Sequence, residues 1–144
     1  MVVGVSDGDT IKARCSTNSG LQTISVRLAE IDAPEKGQAF AQRSKQHLAR
    51  ICFGLAAEIR PSAVDRYGRA VARVSCSGAD ANAAMVNAGM AWAYTQYLHD
   101  PRIKALETSA RQRRVGLWAD DEPIAPWVWR QAKAAERSGA RAVL

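Results

Sequence analysis

Four carboxylates flank one short stretch of the chain. Asp7 and Asp9 stand just before an alternating run that begins at Ile11, and Asp32 and Glu35 just after a second such run that ends at Leu28. If the two runs pair as a hairpin, their outer ends meet and the four acids converge. Repulsion makes a bare cluster of that kind unfavourable, and a cation among the acids is the simplest remedy. With neither histidine nor thiolate beside them the donors are oxygen only, which favours a hard cation. Calcium suits a flexible, loop-borne site and is the first choice, whereas magnesium demands stricter octahedral geometry. Read alone, Asp7-Gly8-Asp9-Thr10 is also an ordinary turn.

Two arginines belong to the same reading. Arg27 lies between Val26 and Leu28 but faces the other way, near the end of the run that leads to Asp32. Arg69 comes from a distant segment, Asp65-Arg66-Tyr67-Gly68-Arg69, whose glycine permits a tight turn that aims the side chain. A planar guanidinium grips two phosphate oxygens at once, and two of them around one phosphate can stabilise a pentacoordinate transition state. Taken singly, each arginine is as readily a surface ion pair.

The elements that must position these groups follow from periodicity. Ile11 to Ser16 places Ile11, Ala13 and Cys15 on one face, and Thr23 to Leu28 places Ile24, Val26 and Leu28 inward, with Asn18-Ser19-Gly20 as the turn between them. Pro34 breaks the pattern and sets a loop. Phe40, Leu48 and Ile51 mark a helix over Gln38 to Ile51 that Gly54 stops. A short strand from Ala56 to Arg60, the Arg66–Arg69 turn and a strand from Ala70 to Cys76 come next. Asp80 caps a short helix, Asn82 to Ala88, that Gly89 ends, and Met90 to Tyr94 is a brief strand. Asp100-Pro101 opens a helix closed by Gly116, and Pro126 opens a last helix bearing Trp127 and Trp129. This order excludes a regular βαβ repeat and predicts a five-stranded Greek-key barrel of the OB-fold type with about three packed helices.

The whole chain sets the outer limits. At 144 residues with 47% hydrophobic and 24% charged residues it has the size and composition of one globular domain. Residues 1–144 are therefore read as a single unit, with 119–144 as a C-terminal helical extension. An excess of 20 Lys+Arg over 14 Asp+Glu gives +6, which attracts polyanions. Arg111, Arg113 and Arg114 read as a solvated helix face. No run approaches the roughly 18 apolar residues of a membrane span. Cys15, Cys52 and Cys76, with His47 and His99, lack zinc-site spacing. A Cys52–Cys76 bridge with Cys15 free and three reduced buried thiols are both compatible with the sequence.

Taken in order, Asp7-Gly8-Asp9-Thr10, Val26-Arg27-Leu28, Asp32-Ala33-Pro34-Glu35 and Asp65-Arg66-Tyr67-Gly68-Arg69 resemble the staphylococcal nuclease, or thermonuclease, family. Asn82, Gly89-Met90-Ala91, Tyr94 and Gly116-Leu117-Trp118 extend the resemblance over roughly Val2 to Trp118. The resemblance implies an OB-fold barrel with three helices and a calcium-dependent nuclease that hydrolyses phosphodiester bonds of DNA and RNA to 3′-phosphate ends. By the same resemblance Asp9 and Asp32 ligate calcium through carboxylates and Ala33 through its carbonyl, where the family often has threonine. Asp7 and Thr10 orient ligands or waters. Glu35 matches the candidate general base or water-positioning residue, and Arg27 and Arg69 clamp the phosphoryl oxygens. Tyr67 and Tyr94 match pocket tyrosines that contact the nucleotide, with Tyr97 a weaker match, and core packing is the alternative reading of each.

Between Glu35 and Ala39 the chain has only Lys36-Gly37-Gln38, where the founding nuclease carries a long basic loop, so reach toward substrate differs. The alternative is a catalytically inactive nucleic-acid-binding or scaffolding module of the same fold. Against it stands the presence of Asp9, Arg27, Asp32, Glu35 and Arg69 together. An unrelated single-strand binder is disfavoured because the early strands offer no exposed aromatic platform. The remaining expectations are a monomer, nucleic acid as partner, no membrane, and a secreted or periplasmic protein whose leader is absent here, cytoplasmic otherwise. DNA against RNA preference and endo against exo action are not readable from the residues.

Overall fold

The computed structural model describes residues 1–143, with side chains to residue 139. Three antiparallel strands open the fold: β1 (Val2–Asp7), β2 (Thr10–Thr17) and β3 (Gly20–Leu28). Alternation drives their pairing. Ile11, Ala13, Val26 and Leu28 are buried, while Lys12 and Arg14 face solvent. The hairpin expected from Ile11 and Leu28 is β2–β3, slightly longer than its apolar pattern. The sequence reading has no strand at Val2–Asp7, because β1 shifts register against β2 twice, between Val2 and Gly4 and between Val5 and Asp7. Each shift breaks the two-residue period on which a strand is recognised.

After a two-residue strand β4 (Ile31–Asp32) the chain forms α1 (Ala41–Cys52), which turns Leu48 and Cys52 inward. β5 (Ala57–Val64) and β6 (Ala70–Cys76) then pair antiparallel, and β6 lies parallel to β3, placing Val71 opposite Arg27. β7 (Ala79–Asp80) pairs with the end of β6, and β8 (Trp92–Ala93) pairs with β4, setting Trp92 opposite Asp32. The main sheet runs β1-β2-β3-β6-β5. The α+β class is the one expected, but the path takes in β1 and leaves out the strand expected at Met90 to Tyr94, which is β8 in the two-stranded sheet, and barrel closure is loose. In place of a β5–β1 ladder, the Val2 amide donates to the Leu55 carbonyl and the Gly54 amide to the Val2 carbonyl, each at 2.9 Å.

The core fills the space between this sheet and α1, α2 (Ala81–Asn87) and α3 (Pro101–Arg113), with Ile11, Leu28, Ile31, Leu48, Met85 and Ile103 at its centre. Asn82 is wholly buried yet satisfied. Its Oδ1 accepts from the Val74 amide at 2.9 Å, and its Nδ2 donates to the Ala29 and Ala72 carbonyls at 2.9 and 3.2 Å. The amide therefore pins α2 to the strand and loop that carry the site. Cys52 and Cys76 are bridged, with Cα atoms 5.2 Å apart, and Cys15 is free. Of the readings left open by sequence, the bridge is the one adopted.

The last helix, α4 (Pro126–Val143), docks through a second cluster in which Trp127 packs against Trp92, Trp118 and their neighbours. Arg111, expected on a solvated face, is exposed, and it also lays its guanidinium 4.1 Å from the Trp118 ring centroid and pairs with buried Glu107 at 3.3 Å. No helix of the described residues is long and apolar enough to cross a membrane.

Candidate active site

The turn between β1 and β2 is pressed against the rest of the protein. A Cβ on Gly8 would stand 1.8 Å from Ser44 Oγ and 2.9 Å from the Ala33 Cβ, so only glycine fits there. Asp7 Oδ1 holds the turn by accepting from the Asp9 amide at 3.1 Å. That closeness lets Asp9 reach across to the loop after β4. Its Oδ2 accepts from the Ala33 amide at 2.8 Å and its Oδ1 from Thr10 Oγ1 at 3.1 Å.

Arg27 joins the two sides. Its Nη1 donates to the Leu28 and Ile31 carbonyls at 2.8 and 3.0 Å, which fixes the plane of the guanidinium. So fixed, it lies 3.4 Å from Asp9 Oδ2 and 3.3 Å from Asp32 Oδ1. Burial pushes the Asp9 carboxyl up, but Arg27, the hydrogen bond with Asp7 and donors from Ala33 and Thr10 outweigh it and hold Asp9 low. Asp32 goes the other way. Burial, with the Asp9 charge behind it, raises Asp32 to about 6 even though Arg130 and Arg27 oppose the rise. Asp7 is raised to about 7 by burial and by its neighbour Asp9. Such crowding is the electrostatic setting that a cation relieves.

Arg69 enters from the β5–β6 turn. Asp65 organises that turn by accepting from the Tyr67 and Arg69 amides at 2.9 and 3.0 Å through Oδ1 and from Arg69 Nε at 2.7 Å through Oδ2. Burial works against the Asp65 charge, but these bonds prevail and its pKa is lowered. Held in this way, Arg69 brings Nη1 to 3.5 Å from Thr10 Oγ1, itself bonded to Asp9. Tyr67 stands exposed, with the Arg69 guanidinium 5.4 Å from its ring centroid.

Glu35 begins the loop to α1, its amide donating to Gln38 Oε1 at 3.0 Å. The charge that meets it comes from α4, which sequence reasoning treated only as packing. Arg130 donates through Nη1 to Glu35 Oε1 at 2.6 Å and to Asp32 Oδ1 at 3.1 Å, and through Nη2 to Asp32 Oδ2 at 2.7 Å and to the Tyr94 hydroxyl at 3.2 Å. Tyr94 in turn stacks on Trp127, with ring centroids 5.3 Å apart. The signal was present in the sequence. Trp127 and Arg130 are three residues apart and so share a helix face, and the face that packs Trp127 must also present Arg130. Asp7, Asp9, Thr10, Arg27, Asp32, Ala33, Glu35, Arg69 and Tyr94 are thus gathered in one network, and Tyr67 stands at its rim beside Arg69.

The donor set suits a hard cation. A carboxylate offers about four lone-pair directions. Arg27 and Arg130 use three on Asp32, and Asp9 likewise keeps a direction on Oδ1 beyond its bond from Thr10. Among the described residues no three Asp, Glu, His or Cys side chains converge as a ready-made cage. Two carboxylates would therefore be completed by a backbone oxygen, water or substrate, as hard oxygen-seeking cations accept.

A family model described as staphylococcal nuclease homologue matches residues 25–120. An uncharacterized endonuclease of Haemophilus influenzae is 46% identical over 130 residues, covering 90% of this chain and 71% of that protein. A micrococcal nuclease of Shigella flexneri is 42% identical over 142 residues, covering 91% of this chain and 79% of that protein. An uncharacterized endonuclease of Escherichia coli is 40% identical over 133 residues, covering 92% and 84% respectively.

Proposed function

This chain belongs to the staphylococcal nuclease homologue family, and we propose from that membership that it is a calcium-dependent nuclease hydrolysing phosphodiester bonds of DNA or RNA to 3′-phosphate ends. The observation that carries the reading is the approach of two guanidiniums to one small acidic site. Arg27 bridges Asp9 and Asp32, and Arg69 reaches Thr10 beside Asp9. Two guanidiniums so placed bind a phosphate once a cation offsets the acids.

Asp9, Asp32 and the Ala33 carbonyl would hold the calcium ion, which when bound would supply Lewis-acid stabilisation of charge on the phosphoryl oxygens. Asp7 and Thr10 keep the Asp9 carboxylate turned toward it. Arg27 and Arg69 retain unused N–H donors, because a guanidinium has five and the protein does not occupy all of them. Those donors grip the equatorial oxygens as charge builds there. Glu35 draws a proton from the attacking water. Its Oε1 is held by Arg130, and its other oxygen is the one that accepts. Attack is in line with the 5′-oxygen as leaving group, and Tyr67 and Tyr94 contact the adjoining nucleotide. The Cys52–Cys76 bridge suits an oxidising compartment and an exported protein.

Incubation of plasmid DNA and of RNA with calcium or with a chelator tests the reading. Both polymers should be degraded in calcium alone, and the fragments should need phosphatase treatment of their 3′ ends before they can be extended by a polymerase. Retardation in a gel without degradation would instead mark a binding module.

A further inference from the structure

The family match ends at residue 120, yet a charged side chain that touches two of the site's carboxylates lies beyond it. We propose that Arg130 is a positioning residue of the hydrolytic site, one that sets the Glu35 carboxylate in place relative to Asp32 and makes α4 part of the catalytic unit. The proposal rests on the nuclease reading and deepens it.

Glu35 needs an outside hold. It stands on a loop, its side chain is 37% exposed, and within the described residues its one salt bridge is to Arg130. A free glutamate in that position would sample several rotamers, and a misplacement of about 1 Å at a reacting group costs on the order of 10² in rate. A charge-assisted bond of 2.6 Å removes that freedom from one oxygen and leaves the other for the reaction. Because the same rigid fork also grips both oxygens of Asp32, it fixes the separation of the two carboxylates. A lysine keeps the charge but not the fork.

The fork is itself anchored. Trp127, one turn earlier on α4, lies parallel to Tyr94 with an interplanar angle of 3°, and the Tyr94 hydroxyl accepts from Arg130 Nη2 at 3.2 Å. At the start of the segment Gln38 Nε2 donates to the Ile124 carbonyl at 2.7 Å. Both sides of the Glu35–Gln38 loop are thus tied to the C-terminal segment, Glu35 by charge and Gln38 by a hydrogen bond. A guanidinium held at several points is a built part of a wall. Three arginines, Arg27, Arg69 and Arg130, then surround the acids from three separate elements.

The test compares the full chain with Arg130→Gln and Arg130→Lys on a labelled oligonucleotide at saturating calcium. Loss of positioning lowers kcat by roughly 30- to 100-fold while KM stays within about threefold, since the interaction acts mainly on the reacting geometry. Arg130→Lys should fall between the other two. Calorimetric titration of calcium without nucleic acid should give affinities within about threefold for wild type and Arg130→Gln, because Asp9 and Asp32 remain. If Arg130→Gln fails to fold, as judged by its melting transition, Arg130→Lys carries the test with a smaller expected loss, about tenfold in kcat with KM again within about threefold. Unchanged or raised kcat overturns the proposal. So does calcium binding tightened by about tenfold with turnover kept, which would make Arg130 a competitor of the cation. A wild-type chain inactive in calcium would remove the nuclease reading and this proposal together, whereas an active wild type matched by its Arg130 variants removes the proposal alone.

Discussion

Two clusters of arginine and carboxylate lie in this protein, and they differ in what the acids are bonded to. In one, Arg73 pairs with Glu30, Asp80 and Asp100 at 3.3, 2.6 and 3.1 Å. Each of those acids also serves the backbone. Glu30 accepts from the His99 and Asp100 amides, Asp80 caps α2 through the Ala83 amide, and Asp100 caps α3 through the Arg102 amide. The cluster fastens two helix starts to the sheet, as capping carboxylates do. In the other, Asp7 and Asp9 each accept from one backbone amide, Asp32 meets only arginines, and Glu35 meets Arg130. Like residues in like numbers make a fastener where their oxygens are spent on amides and a reaction centre where oxygens remain.

Changing one group in each cluster breaks or sharpens that contrast. Glu35→Gln should lower cleavage by about 10²–10⁴, the usual worth of a general base, while its melting temperature stays within a few degrees of wild type. Steady-state rates beside a thermal melt check both halves, and a variant that cleaves normally would leave Glu35 without its role. Arg69→Gln should cost about 10²–10³ at saturating substrate, in line with removal of one donor to a developing oxyanion. A loss confined to KM would move Arg69 from stabilising the transition state to binding alone. Arg73→Gln is the mirror case. Deprived of their common cation, the partly buried Glu30 and Asp100, with the more exposed Asp80, should destabilise the fold by about 2 kcal/mol, or roughly 4–8 °C in melting temperature, with activity per folded molecule nearly unchanged. Equal loss of activity and stability would erase the distinction between the clusters.

Much of the site could be read in the sequence because its parts are local. The β2–β3 hairpin declares itself by alternation, and its ends carry Asp9, Arg27 and Asp32 within short reach of one another. Asp80 and Asp100 likewise announce their helices through cap chemistry. What escaped depends on partners far apart in sequence or on broken periods. β1 hides behind its two register shifts, and β4 is only two residues long, too short for any period to show. Arg130 meets Asp32 across 98 positions, and its one local mark, the helix face it shares with Trp127, does not say what that face meets. Only the three-dimensional docking of Trp127 on Tyr94 carries it into the site.

The most direct measurement is the calcium dependence of oligonucleotide cleavage by wild type and by Asp32→Asn, followed over the same range of free calcium. The account predicts saturable, calcium-requiring cleavage for wild type, and for the variant a rate lower by at least about 10² with a calcium requirement shifted to higher concentration, as expected when a carboxylate ligand is neutralised. Cleavage by Asp32→Asn at the wild-type rate and calcium midpoint, or wild-type cleavage that persists in chelator, would contradict it.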